Sequence, residues 1–342
     1  MISPMRLCLP VIMLAYLSLT SNPQKVIAQQ SDARKPIMLV TPSGTGAIVL
    51  PIGSNWKPES LNADVNGTGL VAQLSTINGL KAQFIVFKND TGQATAQSCR
   101  FATMALLSHR IEALAGLGMP EPIDGEMKDS FGNTVATARY TANSSALLGP
   151  VHRNENIFAF AGNATFCGEM HLWGESDGSA QADANMKAAL ADFHPDLNYQ
   201  PVASDYFTLA SFLFKKSPKL AAKYYKSSLD AMPLDVSYKN PRRIATDQLE
   251  MSLGMSGDLK NSRAIAQQAI ANDPDYPINY YNLACADAEQ RDAANAKIHL
   301  QQAFDQRANT IKGEVMPDPT KDDSILKLKK DKTFWAFVET LK

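Results

Sequence analysis

The stretch YYNLACADAEQRDAANAKIHLQQAF, Tyr280 to Phe304, decides how the C-terminal third of this chain folds. Small and apolar residues recur through it at helical spacing, broken by the polar Glu289-Gln290-Arg291-Asp292. The pattern has already occurred 34 residues earlier. Thr246-Asp247-Gln248-Leu249 falls under Tyr280-Tyr281-Asn282-Leu283, and Gly257-Asp258 under Arg291-Asp292. Ser262 falls under Ala296, Ala266 under Leu300, and Ala269-Ile270 under Ala303-Phe304. Self-similarity at a fixed period of this size signals stacked supersecondary units.

Packing explains the pattern. Small residues on the second helix of each unit let the first helix approach closely, and a proline after it, as in Asn272-Asp273-Pro274, stops the helix and re-aims the chain. One such hairpin cannot bury its apolar face, so neighbours must stack. Tyr280 at the large aromatic position, Leu283-Ala284 at the Leu-Gly pair, and Ala296 and Ala303 at the small positions resemble the tetratricopeptide repeat (TPR) family. A third, more divergent copy spans Asp205 to Pro233, with Phe212, Ala221, Tyr224-Tyr225 and Leu229. It fits if Leu234 to Asn240 is an insertion. The repeat array is therefore expected over 205–310, followed over 311–342 by a loop and an aromatic capping helix, KTFWAFVETL.

The resemblance implies a protein or peptide segment bound on a concave face lined by first helices. The family positions fall on Asp247, Met251, Met255, Tyr281, Cys285 and Glu289. That lining is acidic to apolar and suits a basic or apolar peptide. The lysine and asparagine set that clamps a C-terminal carboxylate in chaperone-binding members is missing at those positions.

Upstream, over 36–198, the periodicity is that of an α+β domain. Strand-like runs at Pro36–Thr41, Gly46–Ile52, Gly69–Thr76 and Leu80–Lys88 precede a helix from about Thr95 to Ala115. Val135–Tyr140, Ile157–Ala161 and Thr165–Trp173 follow, then a helix from near Gln181 to Phe193. Hairpin turns are read at Asn78-Gly79 and Gly162-Asn163, the latter placing Cys167 opposite Phe158. Most connections are hairpins, so the sheet is expected to be mainly antiparallel with two helices on it, an arrangement similar to the PsbP-like α+β domains. His194 to Ser204 reads as the linker between domains.

Residues 1–28 read as a secretory signal peptide: Arg6, an apolar run from Leu7 to Leu19, then Val26-Ile27-Ala28 before a cut at Gln29. The run is too short for a comfortable membrane span, and no later segment is apolar enough to cross a membrane. The mature chain is expected to be exported, periplasmic or extracellular, with no stable membrane span. Without Arg6 and Lys25 it carries 31 basic against 34 acidic residues, which leaves no electrostatic footprint for nucleic acid.

Three cysteines remain in the mature chain, and Cys99 with Cys167 is the expected disulfide, since both fall in the α+β domain. Cys285 is expected to be a small buried hydrophobe. Cys167, Glu169 and His171 share a strand face and are all metal-ligating types. Consecutive same-face strand residues rarely supply three ligands to one tetrahedral ion, so the disulfide reading prevails and no metal or cofactor is expected. The other histidines, His109, His152, His194 and His299, are scattered, and neither His-Glu-x-x-His nor Gly-x-Ser-x-Gly occurs. The sequence reads as a non-enzymatic adaptor or scaffold of the cell envelope. The alternative is an enzyme or small-ligand-binding protein whose site lies in the α+β domain, with Glu169 and His171 its acid–base candidates.

Overall fold

A computed structural model describes residues 36–341 apart from 54, 64–68, 77, 89–94, 116–121, 130–131 and 146–150. The expected signal segment lies outside the described residues. The chain divides into two compact units, Arg34–Leu213 and a second that runs from Phe214 to Lys342.

The first unit holds a seven-stranded sheet of β3 (Trp56–Ala63), β4 (Leu70–Thr76), β5 (Lys81–Lys88), β6 (Ile123–Lys128), β7 (Thr134–Ser145), β8 (Val151–Asn163) and β9 (Phe166–Glu175). Its order is β3-β4-β5-β9-β8-β7-β6, and every neighbouring pair is antiparallel. A small antiparallel sheet of β1 (Met38–Leu39), β2 (Ala47–Val49) and β10 (His194–Asp196) packs on β5 and β9 through β2. Helix α1 (Ala96–Ala115) lies on β7, β8 and β9, and α2 (Ala180–Leu190) on β9.

Alternation along the strands makes the two faces. Ala82, Phe84 and Val86 are fully buried on one face of β5, opposite Leu172, Met170 and Gly168 of β9. Cys167, Glu169, His171 and Trp173 take the other face, and α1 covers its Cys167 end. There Ala96 and Cys99 of α1 pack with Ala136, Ala138, Phe158 and Phe160. Cys99 and Cys167 form the expected disulfide, joining α1 to β9. Gly162 stands opposite Cys167, and a Cβ there would come within 2.6 Å of Cys99 Sγ. The bridge therefore requires a residue without a side chain beneath it.

Several sequence expectations need correction. The β8–β9 turn is Ala164-Thr165, so Asn163 pairs with Phe166, Cys167 with Gly162, and Phe158 with His171 rather than Cys167. Strands β3 and β6 escape the hydrophobic pattern because they are the two edges of the sheet. Pro58 in β3 cannot donate to the ladder, and the β3–β4 register shifts between Pro58 and Ser60. The segment expected as a linker instead contributes β10 and is fastened to the first unit. Gly46 N donates to Tyr199 O at 2.8 Å, Asn163 Nδ2 to Leu197 O at 2.7 Å, and Tyr199 Oη to Asp205 Oδ2 at 2.7 Å. Helix α3 (Ala203–Leu213), placed with the repeats from sequence, ends the first unit.

From α3 onward the chain is helical. The second unit contains α4 (Pro218–Ala231), α5 (Lys239–Met255), α6 (Leu259–Asn272), α7 (Pro277–Glu289), α8 (Ala293–Asp305) and α9 (Lys332–Val338). α4 packs on α5, α5 and α6 pair, α6 meets α7, α7 and α8 pair, and α5 also touches α7. The two hairpins repeat each other bond for bond. Gly257 N donates to Gly254 O and Asp258 N to Leu253 O; 34 residues on, Arg291 N donates to Ala288 O and Asp292 N to Asp287 O. Gly257 has φ 84° and Arg291 has φ 62°, and Arg291 is the single non-glycine with positive φ among the described residues. Asp258 then caps α6 by accepting from Asn261 N, as Asp292 caps α8 by accepting from Asn295 N. Phe334, Val338 and Leu341 bury against Ala284, Leu300 and Phe304, so the C-terminal helix closes the end of the stack.

Candidate functional site

Helices α5 and α7 carry the six residues expected to face a partner. Three of them are covered by the chain's own C-terminal segment. Tyr281 Oη donates to Asp322 Oδ2 at 3.2 Å, and Cys285 Sγ lies 3.7 Å from both Asp322 oxygens. Glu289 accepts from Ser324 Oγ at 2.7 Å and pairs with Lys327. Asp322 Oδ1 also caps the following turn, accepting from Ser324 N at 2.9 Å and Ile325 N at 3.1 Å. Ile325 and Leu328 of that 3-10 turn join the apolar cluster of α7 and α8. The α7 part of the expected face is therefore buried under a strap. A second tether precedes it: Glu314 accepts from Tyr276 Oη at 2.7 Å and from Ile311 N at 2.9 Å.

On α5 the residues behave differently. Met251 and Met255 are half-buried. Asp247 is only 1 % exposed, and so is Glu250, one turn further along the same helix face. Asn282 of α7 bridges them: its Nδ2 donates to Asp247 Oδ1 at 2.8 Å and to Glu250 Oε2 at 2.8 Å. Gln248 Nε2 adds a bond of 3.0 Å to Asp247 Oδ2. Burial pushes the Asp247 carboxyl up to about 6, partly offset by these amide donors. Burial raises Glu250 well above the usual carboxylate range, and the neighbouring Asp247 adds to it.

Sequence reasoning passed over Glu250, Asn282, Asp322, Ser324 and Lys327. A signal for Glu250 existed. At the 34-residue offset it stands where the second copy has Ala284, a position that packs tightly between helices.

In the first unit, Glu169 and His171 share a sheet face but have separate partners. Thr103 Oγ1 of α1 donates to Glu169 Oε2 at 3.2 Å, and Glu169 is 3 % exposed. His171 Nε2 meets Asn156 Oδ1 at 3.0 Å, and the ring stacks 4.0 Å from Phe158 and 4.8 Å from Trp173. Burial raises the Glu169 carboxyl to about 7 and lowers the His171 imidazole to about 4. Burial therefore favours the neutral form of each group inside a packed face. Among the described residues, no group of three or more His, Cys, Asp and Glu side chains is placed to hold a metal ion. No described helix is long and apolar enough to cross a membrane.

No family profile matches the chain, and no curated protein matches it. Among solved structures, it is similar to a protein from Bacteroides thetaiotaomicron at 10 % identity, over 66 % of this chain and 78 % of that one. The TM-score of that match is 0.29, too low to carry an argument.

Proposed function

We propose that this protein is an exported, non-enzymatic adaptor whose C-terminal helices form a short TPR-type array. The observation that carries the reading is the bond-for-bond equivalence of the α5–α6 and α7–α8 hairpins at 34 residues. Hairpins that repeat a turn, a cap and a small-residue seam at one spacing stack into a curved array with an inner surface. The disulfide between Cys99 and Cys167 is compatible with export, since such bonds persist in oxidising compartments. The strap over Tyr281, Cys285 and Glu289 leaves the α5 part of the inner surface, Met251 and Met255, for a protein or peptide segment. Methionine is flexible and polarisable, and it suits apolar surfaces that adapt to a segment.

The test is recovery of envelope proteins with affinity-tagged protein carrying Met251→Lys and Met255→Lys together. The reading expects a specific partner to be lost, while Gln267→Lys on α6, whose side chain is exposed, leaves recovery unchanged. Equal recovery by both variants would count against it.

A further inference from the structure

Among the described residues, three buried side-chain oxygens have no hydrogen-bond partner: Glu250 Oε1, Ser252 Oγ and Asn279 Oδ1. All three lie on α5 or α7. Ser252 is two residues from Glu250, on the other side of α5. Glu250 and Asn279 are different. Glu250 is already in the bridge to Asn282, and Asn279 precedes Asn282 by one helical turn on the same side of α7.

Among the described residues, neither Asp247 nor Glu250 forms an ion pair. Asp247 and Glu250 are met by the amides of Asn282 and Gln248, and the charged groups acting on them are acids, Glu314 on Asp247 and Asp247 on Glu250. Arg243, the nearby guanidinium, is occupied by Asp273 at 2.6 and 3.0 Å and by the Tyr276 ring. Ionising two buried carboxyls that have no cation is costly, and the orphaned Glu250 Oε1 adds to the cost.

The geometry suggests what would relieve it. The Asn282 amide nitrogen stands 2.8 Å from one oxygen of each carboxylate. Neighbouring oxygens around a hard cation have similar spacing when metal–oxygen bonds are about 2.0–2.6 Å. Half a turn of the Asn282 carboxamide exchanges its nitrogen for its oxygen at that place. The three groups then present only oxygen to the space between them.

We propose that Asp247, Glu250 and Asn282 hold a divalent hard cation, Ca²⁺ or Mg²⁺, between α5 and α7. Two carboxylates balance one divalent charge. Glu250 Oε1 gains a partner by bidentate coordination. The donor set is all oxygen, which favours these ions over zinc or copper. The cation would tie the first hairpin to the second at their inner helices, and this holds whether or not the inner surface takes a partner.

The experiment uses the full mature chain, stripped with EDTA and dialysed into metal-free buffer at about pH 8, because carboxyl ligands take up a cation only by losing their protons. Thermal unfolding is followed with EDTA, CaCl₂, MgCl₂ or NaCl of matched ionic strength, and bound metal is counted by mass spectrometry after gel filtration. The expected result is about one divalent ion per chain and a rise in Tm of about 5 °C with Ca²⁺ or Mg²⁺ over NaCl. Glu250→Gln, of the same shape, should abolish both the retained ion and the Tm response yet fold in EDTA. Asp230→Asn, at an exposed acid on α4, should change neither. No stoichiometric ion and no cation-specific rise in Tm would overturn the proposal, as would a full response in Glu250→Gln.

Discussion

Glu169 and His171 offer a measurable compensation. Burial raises the Glu169 carboxyl from 4.5 to about 7, so the native state holds that proton more tightly than the unfolded chain. Its contribution to stability is complete below the unfolded value and is lost as pH rises towards 7. Burial lowers His171 from 6.5 to about 4, so the native state resists that proton. Its contribution is complete above the unfolded value and is lost as pH falls towards 4. Each shift corresponds to about 3 kcal/mol. The His171 figure is a ceiling, because its ring keeps part of its surface in water. Between about pH 4.5 and 6.5 the two slopes oppose each other at roughly 1.4 kcal/mol per pH unit. The first unit should therefore show a nearly flat stability profile there. Glu169→Gln keeps an acceptor for Thr103 and removes the titration. It should leave a profile that rises with pH by about 2 kcal/mol across that window, and should stabilise the unit by up to about 3 kcal/mol near pH 8. His171→Phe keeps the stack on Phe158 and should show the opposite slope. Urea unfolding at several pH values reads this directly, with Trp335→Phe leaving Trp56 and Trp173 as reporters in the first unit. A Glu169→Gln profile as flat as that of the parent would refute the reasoning.

The disulfide closes a loop spanning 68 residues, so Cys99→Ser with Cys167→Ser should cost about 4 kcal/mol in denaturant unfolding. Gly162→Ala should cost a comparable amount or block the bridge, read by free-thiol titration, because its Cβ would enter the space of Cys99 Sγ. Gly257→Ala should cost about 1 kcal/mol because its φ of 84° disfavours a side chain. Asp292→Ala should lose about 1 kcal/mol with the α8 cap, and Asp258→Ala a similar amount at α6; unequal losses, measured by thermal unfolding, would count against equivalent hairpins. Asp322→Ala should loosen the strap, seen as faster hydrogen exchange at the amides of Ser324 and Ile325.

Much of this was legible in the sequence wherever one local rule decided the outcome. The two hairpins followed from a 34-residue spacing, and even the odd pairing of Gly257 with Arg291 proved to be the same left-handed turn. Central strands such as Lys81–Lys88 were visible because burial on one face writes alternation into them. Edge strands escaped for the converse reason: Trp56–Ala63 and Ile123–Lys128 carry polar residues and meet water along one side. The β8–β9 register was misread because Gly162 was taken as a turn residue, when its lack of a side chain serves the disulfide instead. The strap was not readable, since Asp322 and Tyr281 meet across 41 residues of chain with no periodic signal. Asp247 was readable as a repeat position expected to face a partner, and Glu250 only as an acid on the same helix. Their partner, Asn282, lies on another repeat, and only the fold brings the three together.

The central claim is that the helical hairpins form an array whose inner α5 surface binds a protein segment. Its most direct test is a photo-crosslinking residue placed at Met251 or Met255, activated in the native compartment, with Gln267 on α6 as the outer-surface control. The account predicts one recurrent crosslinked partner from both inner positions and none from Gln267. Crosslinks that are absent at the inner positions, or identical at all three, would contradict it.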